Sequence, residues 1–418
     1  MIRLGREAKL DAIDWAQLIR PGDLVVWGQA SAEPVMLAES LLAQRGSIGG
    51  FQAFIGIGWS SNISLAHVDH VAFSSYCGTG TNRHLGDHLD ILPIPYAALA
   101  PTLGARAPVL LLRLAPGRDA DHFGFGAAQD YVADLMDQAR LVIAEVADDA
   151  PCTGEGMEIS RERIDIFVRT SRPNASAGLT RFGEVERAIA ARMAGLVEDG
   201  ATLQIGLGSI PAALMRALTN HRDLGIHSGL IGDEVADLAE AGIITNARKT
   251  IDRGVSVAGL LAGGERLMRW ANANKALRLR PASYTHSHAT LAAIDRLAAI
   301  NSAIEVDLSG QVNAEVADGR YVGAVGGAST FLRGAAASRG GLPIVVLPAT
   351  AGARSRIVAR LSGPVSTARA DAGIFVTEYG VADLRGLGLR ARQQKMLDIA
   401  APAHRAAIEA DIRSAERS

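Results

Sequence analysis

Short apolar runs closed by glycine or proline recur along this chain, and they read as strands covered on both faces. The runs are DLVVWG (Asp23–Gly28), VLLLRL (Val109–Leu114), LVIAEV (Leu141–Val146), TLQIGLG (Thr202–Gly208), PIVVLP (Pro343–Pro348) and GIFVTEYG (Gly373–Gly380). They are mostly continuous rather than alternating, as in a parallel sheet packed on both sides. Between them lie PVMLAESLLAQ (Pro34–Gln44), AQDYVADLMDQA (Ala128–Ala139), EVERAIAARMAGLVEDG (Glu184–Gly200) and DEVADLAEAG (Asp233–Gly242). These space their apolar residues by three or four, the period of an amphipathic helix. Strand–helix alternation with short connections predicts a parallel α/β fold.

One pattern occurs twice. GDLVVWGQASAEPVMLAESL (Gly22–Leu41) and GATLQIGLGSIPAALMRAL (Gly200–Leu218) each run glycine, strand, glycine-rich turn, proline, helix, with six positions from the first glycine to the turn glycine. Any two βα turns share part of this pattern. The chain has 418 residues, too many for one ordinary core. Together these features predict two related α/β domains, residues 1–179 and 180–418. RTSRPNASAGLTRFG (Arg169–Gly183) reads as the linker, because Ser, Pro, Asn and Gly cluster there without an apolar period.

Composition excludes several classes. The formal net charge is −2 and the basic residues do not cluster, which argues against nucleic acid or an anionic membrane as the main partner. No apolar stretch approaches the ~18 residues of a membrane span, and the charged N-terminus has no signal-peptide core. Two cysteines, Cys77 and Cys152, form no disulfide framework and suit a reducing cytoplasm.

Four groups of residues carry possible chemistry. GLGSIP (Gly206–Pro211) joins a strand to a helix N-terminus whose free N–H groups suit an anion, although a plain βα turn looks the same and no Walker A lysine follows. GRYVGAVGGASTFLRGAAASRGG (Gly319–Gly341) offers backbone donors at Gly323, Gly326 and Gly327, with Arg333 and Arg339 within the same stretch for phosphates; its bland alternative is a surface loop. INSAIEVDLSGQVNAEV (Ile300–Val316) alternates, with Glu305 and Asp307 opposite Ile304 and Val306. Glu305 is thus either a general base or nucleophile or part of a solvated strand face. The pairs His84/His88 and His286/His288 have metal-ligand spacing but no third ligand nearby, so no metal is expected. No Gly-x-Ser-x-Gly elbow is present, and neither cysteine sits in a reactive motif. LGIHSGLIGDEVADLAEAG (Leu224–Gly242) reads as a strand, a turn of small residues at His227-Ser228-Gly229, and a helix.

GIHSGLIGDEVADLAEAGIITNARKTIDRG, INSAIEVDLSGQVNAE, VGGASTFLRGAAASRGGLPIVVLP and VTEYGVADLRGLGLRARQQKMLDIAAPAHR, with AEP (Ala32–Pro34) and LVIAEVADDAP (Leu141–Pro151), resemble the acetyl-CoA hydrolase/transferase family. The similarity is greatest to its 4-hydroxybutyrate CoA-transferase branch. The resemblance spans nearly the whole chain. It implies two similar domains with mainly parallel sheets flanked by helices and an active site between them. It also implies coenzyme A thioesters as substrates rather than a permanently bound cofactor, and a homo-oligomer. Gly206, Leu207, Gly208, Ser209 and Ile210 match the family's CoA-binding turn, and Gly326 and Gly327 match the glycine loop that approaches the thioester. The family's nucleophilic glutamate follows the serine or threonine of the GIHS-like strand, and that position here is Gly229. Glu234 stands where relatives usually have a small residue, and Thr330 where they usually have aspartate.

A glycine cannot form an acyl anhydride, and losing a covalent nucleophile costs several orders of magnitude in rate. Three readings follow. In the first, Glu234 or Glu305 acts as general base on water, giving hydrolysis of a thioester or of a β-keto carbon–carbon bond. In the second, one of these carboxylates becomes the nucleophile of CoA transfer to a carboxylate. In the third, the chain binds acyl-CoA without turning it over.

Overall fold

The computed structural model describes residues 5–153, 158–176, 178 and 181–415, without the side chains of residues 414 and 415. The expected domain boundary at residues 179 and 180 lies outside the described residues. The chain groups into two compact units. One takes the chain up to Gly178 together with Gly229–Ala236 and Val257–Thr285; the other takes Leu179–Ser228, Asp237–Ser256 and His286 onward.

In the first unit the strands run Leu89–Ile91, Val71–Ser75, Phe51–Phe54, Leu24–Trp27, Val109–Pro116, Leu141–Ala147, Ile166–Thr170 and Arg6–Glu7 across the sheet. Neighbours along this path are parallel, with Val25 opposite Ala53 on one side and Val109 on the other. In the second sheet Gly225–Ile231, Thr202–Ile205, Leu297–Ser302, Leu342–Val346 and Ile374–Thr377 are parallel neighbours in that order, and Gly380–Asp383 adds an antiparallel edge. In each sheet the strand of the repeated pattern, Leu24–Trp27 or Thr202–Ile205, has its successor in the chain on one side and a later strand on the other. The fold is α/β, with two similar, mainly parallel sheets flanked by helices. The glycines that open the two equivalent strands both adopt left-handed backbone, Gly22 at φ +82° and Gly200 at φ +76°, a conformation that disfavours side-chain-bearing residues.

The continuous apolar runs are buried as expected. Val109–Leu114 and Leu141–Ala147 are buried at every position, and Trp15, Leu37, Leu41 and Ile143 pack in one core. Leu297, Val306, Phe331, Val345 and Phe375 pack in the other.

Three expectations need correction. The helix expected over Ala128–Ala139 is confined to Asp130–Leu135, because Ala128 bridges to Leu260 and the Gln129 amide donates to the Gly259 carbonyl at 2.9 Å. His227-Ser228-Gly229 is no turn: the strand continues from Gly225 to Ile231 and the helix begins at Asp233. Ser228 sustains that strand, its hydroxyl donating to the Ile205 carbonyl at 3.0 Å and accepting from the Ile205 amide at 3.3 Å. Glu305–Asp307 is not a half-solvated strand, since all three of its residues are buried. No helix among the described residues is long and apolar enough to cross a membrane.

Candidate active site

The glycine-rich turn of the second unit stands open. Gly206 has no neighbour near the place a side chain would take, and Leu207 is 41% exposed. Gly208 at φ +124° brings the chain into the helix Ser209–Ala217. Ile210 is buried beneath the turn, and the Ser209 hydroxyl lies 3.4 Å from Glu186 Oε1.

The glycine loop is braced from below. Val322 and Gly323 both donate to the Glu315 carbonyl at 2.9 Å, and a side chain at Gly323 would collide with the Ala314 carbonyl. Gly327 precedes the helix Ala328–Ala337. A Cβ on Gly327 would stand 2.6 Å from His286 Nε2. His286 packs its ring on Phe331 at 4.6 Å. Burial, reinforced by neighbouring His227, pushes the His286 imidazole down to about 3, so it is neutral under ordinary conditions. His84 and His88 lie exposed on a 3-10 stretch kinked at Gly86. Among the described residues no His, Cys, Asp and Glu side chains gather as a metal site. Arg333 and Arg339, expected to meet phosphates, are held by Asp371 and Asp295.

The two candidate acids differ. Glu305, 8% exposed, accepts from the Ser362 amide at 2.5 Å, the Ser362 hydroxyl at 2.9 Å, the Gly363 amide at 3.1 Å and Asn313 Nδ2 at 3.1 Å. That carboxylate anchors the Ser362–Gly363 segment to its own strand. Glu234 is half-buried in the first turn of the helix Asp233–Glu240. Its neighbour Asp233 is committed to the N-terminus of the helix Glu265–Ala271, accepting from the Gly264 and Leu267 amides at 2.9 Å each.

Gly229 sits inside its strand without the positive φ that demands glycine. Its carbonyl faces Gly259, where an added Cβ would lie 2.8 Å from that oxygen and 3.6 Å from Asp130 Cβ. Asp130 was not anticipated. It is 1% exposed and accepts from Gln29 Nε2 at 2.9 Å and the Val132 amide at 3.1 Å. Burial pushes its carboxyl up to about 6. Gln29 also donates to the Tyr96 hydroxyl at 2.7 Å and accepts from the Tyr76 hydroxyl at 2.9 Å. Nothing in the run AAQDYVADL marks this aspartate as buried, because its partners come from residues 29 and 96. Glu33 is the central residue of AEP. It is 3% exposed, bonded to Trp59 and Ser60, and raised by burial. Glu145, from the second N-terminal motif, caps the helix Val35–Ala43 through the Met36 amide at 3.0 Å and pairs with buried Arg113. Lys249 ties the strand Gly225–Ile231 down, donating to the Ile226 carbonyl at 2.9 Å and the Val255 carbonyl at 2.7 Å.

Residues 263–412 match the acetyl-CoA hydrolase/transferase C-terminal domain. The chain is 34% identical over 404 residues to 4-hydroxybutyrate coenzyme A transferase of Clostridium kluyveri, covering 91% of each chain. Among solved structures it superposes on RipA from Yersinia pestis with a TM-score of 0.92 at 27% identity, covering 98% of both chains. It superposes on 4-hydroxybutyrate CoA-transferase from Porphyromonas gingivalis with a TM-score of 0.83 at 30% identity, covering 98% of this chain and 97% of that one.

Proposed function

The chain is an enzyme of the acetyl-CoA hydrolase/transferase family, and from that premise we propose that it hydrolyses a coenzyme A ester with water as the attacking group. The observation that carries this reading is Gly229. It stands at the position of the family's nucleophilic glutamate by sequence resemblance. Its extended backbone makes no demand for glycine, so the missing side chain is the feature to explain. Without it, no mixed anhydride forms at this strand.

In the proposed reaction Glu234 takes a proton from water as the oxygen attacks the acyl carbon. Backbone amides receive the developing oxyanion. The CoA thiolate then leaves with the electron pair of the broken C–S bond and collects the proton from Glu234. On a β-keto acyl-CoA the same attack at the keto carbon breaks the C–C bond instead, and the departing acyl-CoA enolate keeps the electron pair of that bond and collects the proton from Glu234. Glu305 is less available for this role, because four hydrogen bonds already hold its carboxylate. The turn Gly206–Ile210 contacts the CoA moiety, and the reaction belongs in the cytoplasm. CoA transfer to a carboxylate is the second reading. It is supported by the transferase names of the relatives from Clostridium kluyveri and Porphyromonas gingivalis, and it requires Glu234 or Glu305 as nucleophile.

Incubating the protein with a panel of acyl-CoA esters, with and without acetate, separates the readings when free thiol and acyl exchange are followed by mass spectrometry. Hydrolysis gives thiol at the same rate without acetate, and E234Q lowers that rate by about 10²–10⁴-fold. Exchange that requires acetate, with no thiol released in its absence, contradicts hydrolysis. Binding without turnover across the panel contradicts both.

A further inference from the structure

The strand Gly225–Ile231 is pinned near its start by two side chains. Both polar backbone groups of Ile226 are taken by the loop that precedes the strand Ser256–Leu261. The Ile226 amide donates to Asn246 Oδ1 at 2.9 Å, and its carbonyl accepts from Lys249 Nζ at 2.9 Å. Each side chain then continues to the other strand. Asn246 Nδ2 donates to Ser256 Oγ at 3.0 Å, and Lys249 Nζ donates to the Val255 carbonyl at 2.7 Å. Two side chains thus bridge the same two points, Ile226 on one strand and Val255–Ser256 at the head of the other. Asn246, Lys249 and Ser256 are all buried. Gly225 makes room for the lysine stem, since a Cβ there would stand 2.7 Å from Lys249 Cγ. Asn246 holds left-handed backbone at φ +56°, which asparagine tolerates better than most residues. Burial pushes the Lys249 ammonium down to about 8, as expected where a charge is costly to keep. An apolar side chain would fill that space without the cost, so what the lysine contributes is its two donated bonds. Three residues further along the two strands stand Gly229 and Gly259, and a Cβ on Gly259 would lie 2.8 Å from the Gly229 carbonyl oxygen. The bridge is therefore about 10 Å of strand from position 229, and the helix carrying Glu234 follows that strand.

We propose that Asn246 and Lys249 are positioning residues for the reaction: their joint bridge sets where Gly229 and the following Glu234 stand, without touching the ester. This rests on the hydrolysis reading above. A reacting group displaced by about 1 Å costs about 10²-fold in rate, so a bridge remote from the chemistry can still govern turnover. The test measures thiol release from an acyl-CoA, per folded molecule, and the calorimetric affinity for CoA. It compares wild type, K249M, K249R, N246G and the double variant K249M/N246G. Glycine at 246 removes the side chain and keeps the left-handed backbone. K249M and N246G each lower kcat by about 10–100-fold, while KM and CoA affinity stay within about twofold of wild type. K249R keeps donors for both carbonyls and recovers most of the loss. The double variant is no slower than the worse single one, because either deletion already opens the bridge. Where K249M does not fold, N246G against N246D makes the same comparison, since the aspartate keeps an acceptor for the Ile226 amide and stays close to wild type. Wild-type kcat in K249M or N246G, equal losses in K249M and K249R or in N246G and N246D, or losses that multiply in the double variant overturn the positioning role alone. Wild-type protein that releases no thiol from any ester overturns the hydrolysis reading and this assignment with it.

Discussion

At the scale of single residues, hydrogen-bond saturation and burial divide the carboxylates by task. Glu305 holds the Ser362–Gly363 segment by hydrogen bonds, so E305Q places an amide N–H₂ against the Ser362 and Gly363 donors and costs about 1–3 kcal/mol. The thermal midpoint falls while turnover per folded molecule holds; an unchanged midpoint with lost turnover would give Glu305 a chemical role. Asp130 makes a different prediction. Its folded carboxyl titrates near about 6 against 3.8 for the ordinary group. Between those values the folded chain keeps a proton that the unfolded chain has released. Stability therefore falls as pH rises through that window, by about 3 kcal/mol in all. D130N removes that slope: its melting midpoint exceeds wild type's at neutral pH, and the gap closes toward pH 4 or so. Parallel melting profiles across this range would contradict the buried titration. Neither environment was legible in the sequence, because both depend on partners brought by tertiary packing. The Ser362–Gly363 amides lie 57 and 58 residues from Glu305, and Gln29 lies 101 residues from Asp130.

At the scale of elements, the glycine loop and His286 form one packed unit. G327A drives a methyl group into His286 Nε2 and toward Phe331, 3.1 Å away, an overpacking worth about 1–3 kcal/mol. Affinity for a CoA ester falls, and the double variant G327A/H286A recovers it. A G327A variant with unchanged affinity would separate the loop from ligand binding. Element type was largely readable in the chain. Continuous apolar runs became strands buried on both faces, and periodic segments became helices at Val35–Ala43, Glu184–Ala194 and Asp233–Glu240. Errors arose where side-chain pattern and backbone pairing disagree. Polar His227 and Ser228 look like a turn, yet both are fully buried in the sheet, and the small residues of the segment permit that close packing.

At the scale of the molecule, the repeated glycine–strand–turn–helix pattern corresponds to two sheets with the same strand logic. The family resemblance carried the site one step further than pattern could, to the glycine loop, the turn at Gly206–Ile210 and Gly229. Geometry added what spacing alone could not, including the burial of Asp130 and its bond to Gln29. If the family frame is otherwise intact, G229E restores an acid at the strand and converts water attack into covalent transfer, with acetate-dependent acyl exchange rising above wild type.

The most direct measurement is intact-protein mass spectrometry of wild type and G229E, each mixed with an acyl-CoA and quenched within a single turnover. Wild type is expected to release free CoA thiol with no added mass on the protein, while G229E carries a glutamyl-CoA adduct that borohydride removes. A borohydride-sensitive CoA adduct on the wild-type chain would contradict the central claim and move the nucleophile to another carboxylate.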